Sequence, residues 1–364
     1  MKRVAIAFVL LAVVLSVPAH AALDEEQFEL FGAGEVEQAV PDTAKEILDD
    51  ASVEDALEPD GFFSRLWQAI LDKLGELWSE AAAGAVKLLA VAALVSACGA
   101  FATETTQRYV TLAGCLAVAA IAFGEAGEWI NAGAETMESM NEFSRALLPC
   151  LTATAAAGGM TASAAARYAA TSLFMDVFIT LSKSLLLPLA YALLAVKTAA
   201  CALGNSALDG AGKLIKWACG VLTTAIMTAF TLYLSLSGAV TGAADAVTSK
   251  AAKTAISAAL PVVGGIISDA AGTLVAGAGL LRGAVGAFGA VVVAAICLGP
   301  FLALGLRYLL YKLAAALAGC FADKDLSGLI GDVGSVFALV LGVTGACAAM
   351  LFISIISAVK AVSG

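Results

Sequence analysis

The sequence predicts an all-α, polytopic integral membrane protein with an N-terminal signal peptide and a small acidic amphipathic extracytoplasmic segment. Three observations carry that expectation. Of 364 residues, 61% are hydrophobic and only 14% charged, whereas a soluble domain carries about a quarter charged residues. Several windows of roughly 20 residues are almost uncharged, the length a helix needs to cross a bilayer. The net charge of -10 is unevenly spread: residues 24–60 hold 14 Asp or Glu against one basic residue, Lys45.

Residues 1–21 read as a secretory signal. Lys2 and Arg3 form the positive end, Val4 to Val17 an apolar core too short for a comfortable span, and Ala19-His20-Ala21 an A-x-A cleavage site. An uncleaved anchor is the other reading, and in both the chain from residue 23 starts outside the cytoplasm. Residues 22–80 then form an extracytoplasmic acidic leader and an amphipathic helix. The acidic run is read as a solvated leader or as a docking segment. At 62–80, Phe63, Leu66, Trp67, Ile70, Leu71, Leu74, Leu77 and Trp78 follow helical spacing, opposite Ser64, Arg65, Gln68, Asp72, Lys73 and Glu76. Its two tryptophans suit a membrane interface, and packing on a partner helix is equally open.

Residues 81–364 are expected to form a multi-pass membrane domain of six to eight segments. Residues 81–101 and 109–124 are spans. Residues 125–145 are amphipathic, with Glu128, Glu135, Glu138 and Glu142 on one arc and Trp129, Met137, Met140 and Phe143 on the other. The acidic excess places that segment outside. Residues 146–166, interrupted by Pro149 and Gly158-Gly159, read as close-packed or re-entrant. A span at 169–196 carries Asp176, Lys183 and Pro188. A loop at 197–216 holds Lys197, Lys213 and Lys216 against Asp209, which favours the cytoplasm. Spans at 217–240, 258–281 and 284–306 follow, then a polar loop at 307–334 and a final span at 335–359.

Several chemistries are excluded. The one histidine, His20, leaves with the signal, which removes Ser-His and Cys-His pairs, histidine metal sites and histidine proton relays. No two of the eight cysteines form a CxxC, and their spacing does not suit zinc. No glycine-rich loop is followed by the lysine and hydroxyl of a P-loop. The acidic balance argues against nucleic acid. The chain is therefore read as a non-enzyme, with no catalytic, cofactor-binding or metal residues.

The stretch 235–316 organises the chain. Its apolar runs are broken by SG, PVVGG, GLLRGAVG and LGP, with Asp245, Lys250, Lys253, Asp269 and Arg282 between or inside them. Such breaks are tolerated at membrane depth only where protein or water satisfies the freed backbone. Asp269 follows Pro261 and Gly264-Gly265; a broken helix there presents backbone groups to a solute, or is a plain bend. Gly238-x-x-x-Gly242 and Gly279-x-x-x-Gly283, extended by Gly286 and Gly289, permit close helix approach. Asp176 and Lys183 lie seven residues apart on one helix, about 10 Å, too far for a direct pair. Intramembrane charges of this kind line a pathway or sit in a packed subunit contact.

S-G-A at 237–239, then Asp245, Lys250 and Lys253, P-V-V-G at 261–264, S-D at 268–269, L-L-R-G-A-V-G at 280–286, Pro300 and Y-K-L-A at 311–314 follow in an order and spacing that resembles the stage III sporulation protein AE family (SpoIIIAE). The signal, acidic leader and polytopic remainder are also similar to that family. The resemblance implies a subunit in the mother-cell membrane around the forespore. It implies work with the other stage III A proteins and a forespore-side partner, SpoIIQ, as a channel or secretion-like apparatus that supports late forespore gene expression. Membrane lipid is the remaining partner. A non-conducting scaffold and an autonomous secondary transporter are the rival readings; the latter calls for paired internal repeats, and none is evident.

Overall fold

An alanine- and leucine-rich chain with little charge has one economical way to satisfy its backbone in an apolar setting, which is the helix. The computed structural model describes residues 31–48, 59–157, 161–259 and 264–360, with side chains over 31–48, 68–157, 162–237 and 281–359 apart from Glu104 and Ser206. Among the described residues every regular element is helical. They are α1 (Ala33–Gln38), α2 (Asp42–Leu48), α3 (Pro59–Gly99), α4 (Glu104–Ala157), α5 (Thr161–Leu181), a π turn (Ser182–Leu186), α6 (Leu187–Leu203), α7 (Ser206–Ala259), α8 (Gly264–Ala318) and α9 (Lys324–Lys360). Six stretches are long and apolar enough to cross a membrane: Gln68–Gly99, Thr105–Ala157, Ala162–Leu203, Ala207–Ser237, Leu281–Ala318 and Lys324–Val359. The chain is a multi-pass α-helical membrane protein, and the described residues supply six of the expected six to eight segments. The expected signal peptide at 1–21 lies outside the described residues.

The α8–α9 hairpin is the centre of the bundle. In the most apolar window of α8 61% is buried, and of α9 56%, against 17% for α7. Helices α3 and α4 pack along α8, α4 and α6 along α9, and α7 lies outermost against α5 and α6. Three contacts fix α4 antiparallel to α8: Glu125 with Tyr311, Met140 with Cys297 and Leu147 with Gly289. Cys115 of α4 is disulfide-bonded to Cys201 of α6. Part of the acidic leader docks rather than staying solvated: α1 lies on α4, and α2 on α8 and α3, burying Ala33, Val36, Ala44 and Leu48.

Three short turns gather at one end. Gly204, at φ 63, closes α6 in the left-handed region, and Asn205 Oδ1 accepts the Ala207 N–H at 2.9 Å to open α7. The turns after α3 and α8 are stitched together: Ser96 Oγ donates to the Phe321 carbonyl at 2.6 Å and Thr111 Oγ1 to Asp323 Oδ2 at 2.9 Å.

Several expected boundaries are corrected. The amphipathic helix at 62–80 and the span at 81–101 are one helix, α3. Ile70 packs on the bundle, whereas Leu71 and Trp78 of the same stripe are exposed. The separate segments 109–124 and 125–145 and the first part of 146–166 are one helix, α4, which runs through Pro149 to Ala157, and the rest of 146–166 from Thr161 opens α5. The loop at 197–216 is a two-residue turn, and the loop at 307–334 shrinks to 319–323. From Gly264 onward the expected spans at 258–281 and 284–306 join in α8, which continues through GLLRGAVG and Pro300. Glycine costs a helix interior about 1 kcal/mol and proline about 3 kcal/mol. Burial against neighbours, with no water to take the freed groups, outweighs both.

Candidate functional site in the charged layers of the bundle

The first layer lies just below the tight turns, where α6, α7, α8 and α9 meet. Lys197, only 6% exposed, binds Asp209 and also Asp332 Oδ2 at 3.0 Å. Lys213 pairs with Asp209 at 2.8 Å and Lys216 with Asp332 at 2.8 Å. Lys312 donates to the Gly331 carbonyl at 2.7 Å and to Ser335 Oγ at 3.0 Å. Four ammonium groups thus face two carboxylates, an excess of positive charge at this end. Gly212 permits the arrangement: a Cβ there would fall 2.6 Å from Lys197 Cε.

A second group ties α3, α4 and α8 together. The Arg307 guanidinium, 4% exposed, sits 4.1 Å over the Trp129 ring and reaches Glu80 Oε2 at 3.4 Å. The fully buried Tyr311 donates its hydroxyl to Glu125. Gly84 is needed beside them, since a Cβ would fall 2.6 Å from Glu125 Oε2 and 2.7 Å from Tyr311 Oη. The sequence reading missed this group. Its signal was an isolated Arg307 on an otherwise uncharged run, with Glu80 and Glu125 each at the rim of an apolar stretch.

Between the ends runs a polar seam on the outer face of α4. Glu128, Glu135, Glu138, Glu142 and Arg145 are exposed at spacings of three, four and seven, while Met137, Met140 and Phe143 behind them are fully buried. The two expected arcs are therefore real, but the segment is not an outer loop. Its register with α8 places it level with the uncharged run 283–306. The neighbouring α5–π–α6 rod completes the seam. Lys183 Nζ meets Glu138 Oε2 at 2.7 Å, and Asp176 Oδ1 lies 3.7 Å from Arg145 Nη2 and accepts from Asn141 Nδ2 at 3.4 Å. Asp176 and Lys183 do not pair with each other, as their spacing required; each pairs across to α4.

The remaining candidates divide. Arg282 is 2% exposed on α8, against α9. Gly286 packs on Val359, and a Cβ at Gly289 would fall 2.7 Å from Leu147. At Gly283, nothing among the described residues lies within 4 Å of a Cβ, so no close approach is seen there. Asp245, Lys250 and Lys253 lie on α7, and Gly264, Asp269 and Gly279 on α8, with side chains outside the described residues; Pro261 lies outside them altogether.

A model of the stage III sporulation protein AE family matches residues 44–362. The chain belongs to that family. Among its stage III sporulation protein AE relatives, that of Bacillus subtilis (strain 168) is 28% identical over 191 residues, covering 52% of this chain and 47% of that protein. The match thus spans about half the length of the curated relative. No solved structure matches. The stage III sporulation protein AE region takes in the chain from Ala44 of α2 to beyond α9, and so includes both buried groups and the whole seam.

Proposed function

We propose that this chain is a membrane subunit of a channel or secretion-like complex between mother cell and forespore, acting without catalysis alongside other stage III A proteins and a forespore-side partner. The supporting observation is the α4 seam. With α8 and α9 crossing the bilayer, the ion pairs Glu138–Lys183 and Arg145–Asp176 face outward level with the uncharged run of α8. A charge facing lipid at mid-bilayer costs roughly 3 kcal/mol, and the seam holds seven when Glu128, Glu135 and Glu142 are included. Water or a neighbouring subunit must therefore cover it, as in the wall of a conduit assembled from several chains.

Cysteine accessibility tests this in membranes holding the assembled complex. In a background with the exposed Cys98 and Cys320 changed to serine, Glu135→Cys and Thr180→Cys on the seam should react with a charged thiol reagent. Leu232→Cys, on the outer face of α7, should stay protected. Protection of both seam positions in the complex would mark the seam as a dry subunit contact and favour a scaffold over a conduit.

A further inference from the structure

We propose that Arg282, with Arg167 beside it, binds a phosphate group, that of an anionic phospholipid seated between α5, α8 and α9. Arg282 is 98% buried, yet among the described residues only its Nη2 finds an acceptor, the Val359 carbonyl at 3.4 Å, and Nε and Nη1 have no partner. The charged neighbour that acts on it among the described residues is another arginine, Arg167. Arg307 gives the contrast. Buried almost as deeply, it has Glu80 and the face of Trp129. A buried cation without a counter-charge costs several kcal/mol, so the site around Arg282 calls for an anion. A guanidinium fork suits the paired oxygens of a phosphate.

Depth decides the kind of phosphate. Arg282 and Lys312 are thirty residues apart on α8, and Arg167 and Lys197 thirty apart on the α5–π–α6 rod. At 1.5 Å per residue each interval is about 45 Å, the thickness of a bilayer including both headgroup regions. The lysine layer at the tight turns and the arginine pair at the far end therefore sit at opposite headgroup levels. Arg167, half-buried on α5, is close enough to act on Arg282 electrostatically. One helical turn on, Thr171 is hydrogen-bonded to Ser354 of α9 and closes the floor with neutral hydroxyls. Basic pockets between transmembrane helices hold anionic headgroups in this manner.

The test uses the full-length protein, purified in mild detergent and delipidated, with thermal unfolding as readout. Phosphatidylglycerol should raise Tm by several degrees and phosphatidylcholine should not. Arg282→Gln should unfold cooperatively and lose that shift, and Arg282→Lys should keep part of it. Should Arg282→Gln fail to fold, Arg167→Gln should show the same loss. An equal shift from inorganic phosphate would keep the site and assign it a free anion. The proposal is overturned if Arg282→Gln retains the full shift, or if neither phosphate source shifts the wild type. It is also overturned if Asp245→Asn or Asp269→Asn destabilises the protein and Arg282→Gln cancels the loss, because the counter-charge would then belong to the chain itself.

Discussion

Lys197 holds Asp209 and Asp332 with one buried ammonium, and each acid keeps a second, more exposed partner in Lys213 or Lys216. Lys197→Met would leave two carboxylates facing each other without the charge between them. Breaking a buried ionic group from one side costs about 3–5 kcal/mol; the outer lysines hold this case near the lower figure. The measurement is thermal unfolding in detergent, where Lys197→Met should lower Tm and Lys197→Met with Asp332→Asn should recover part of the loss. Sequence alone reached half of this residue's setting. Its basic neighbours and Asp209 stand within one stretch, whereas Asp332 lies far along the chain on another helix. The same holds for Lys183: its separation from Asp176 ruled out one partner, but no spacing rule leads from the π turn across to Glu138 on α4. Local periodicity shows which way a charge faces, and packing alone shows what it meets.

Among the helices, glycine spacing was a partial guide. Gly283 and Gly289 stand in the same small-residue pattern, yet one meets no described residue within 4 Å of a Cβ and the other presses on Leu147. Gly289→Leu should overpack the α4–α8 contact at a cost of about 1–3 kcal/mol, and Leu147→Ala in the same chain should relieve it. Gly283→Leu should stay within about 0.5 kcal/mol of wild type. Chemical or thermal unfolding of the purified variants separates the two. The long helices themselves were hard to read, because Pro149, Pro300 and the glycines look like punctuation when the sequence is taken locally. The tight turn at Gly204-Asn205 was hidden for the opposite reason: Lys213 and Lys216 look like solvated loop residues until Asp209 and Asp332 are brought beside them.

At the scale of the whole molecule, composition was enough for the class of fold, since near-uncharged windows of bilayer length leave few alternatives. Charge predicts the orientation. The lysine layer and the three short turns share one end, which the positive-inside rule predicts to be the cytoplasmic one. Cys98 and Cys320 are exposed at that end. A membrane-impermeant maleimide should therefore label neither in intact cells and both after permeabilisation; labelling of intact cells would invert the topology. The turns carry a further consequence. Among the described residues, the links at the lysine-layer end are 100–103, 204–205 and 319–323, so the described bundle offers a soluble protein little to grip there. On the far side α8 continues about 27 Å from Arg282 to Gly264. Among the described residues, the surfaces left for recruitment into a larger machine are therefore the flank within the bilayer and the helices that run on past the far end, rather than loops at the lysine-layer end.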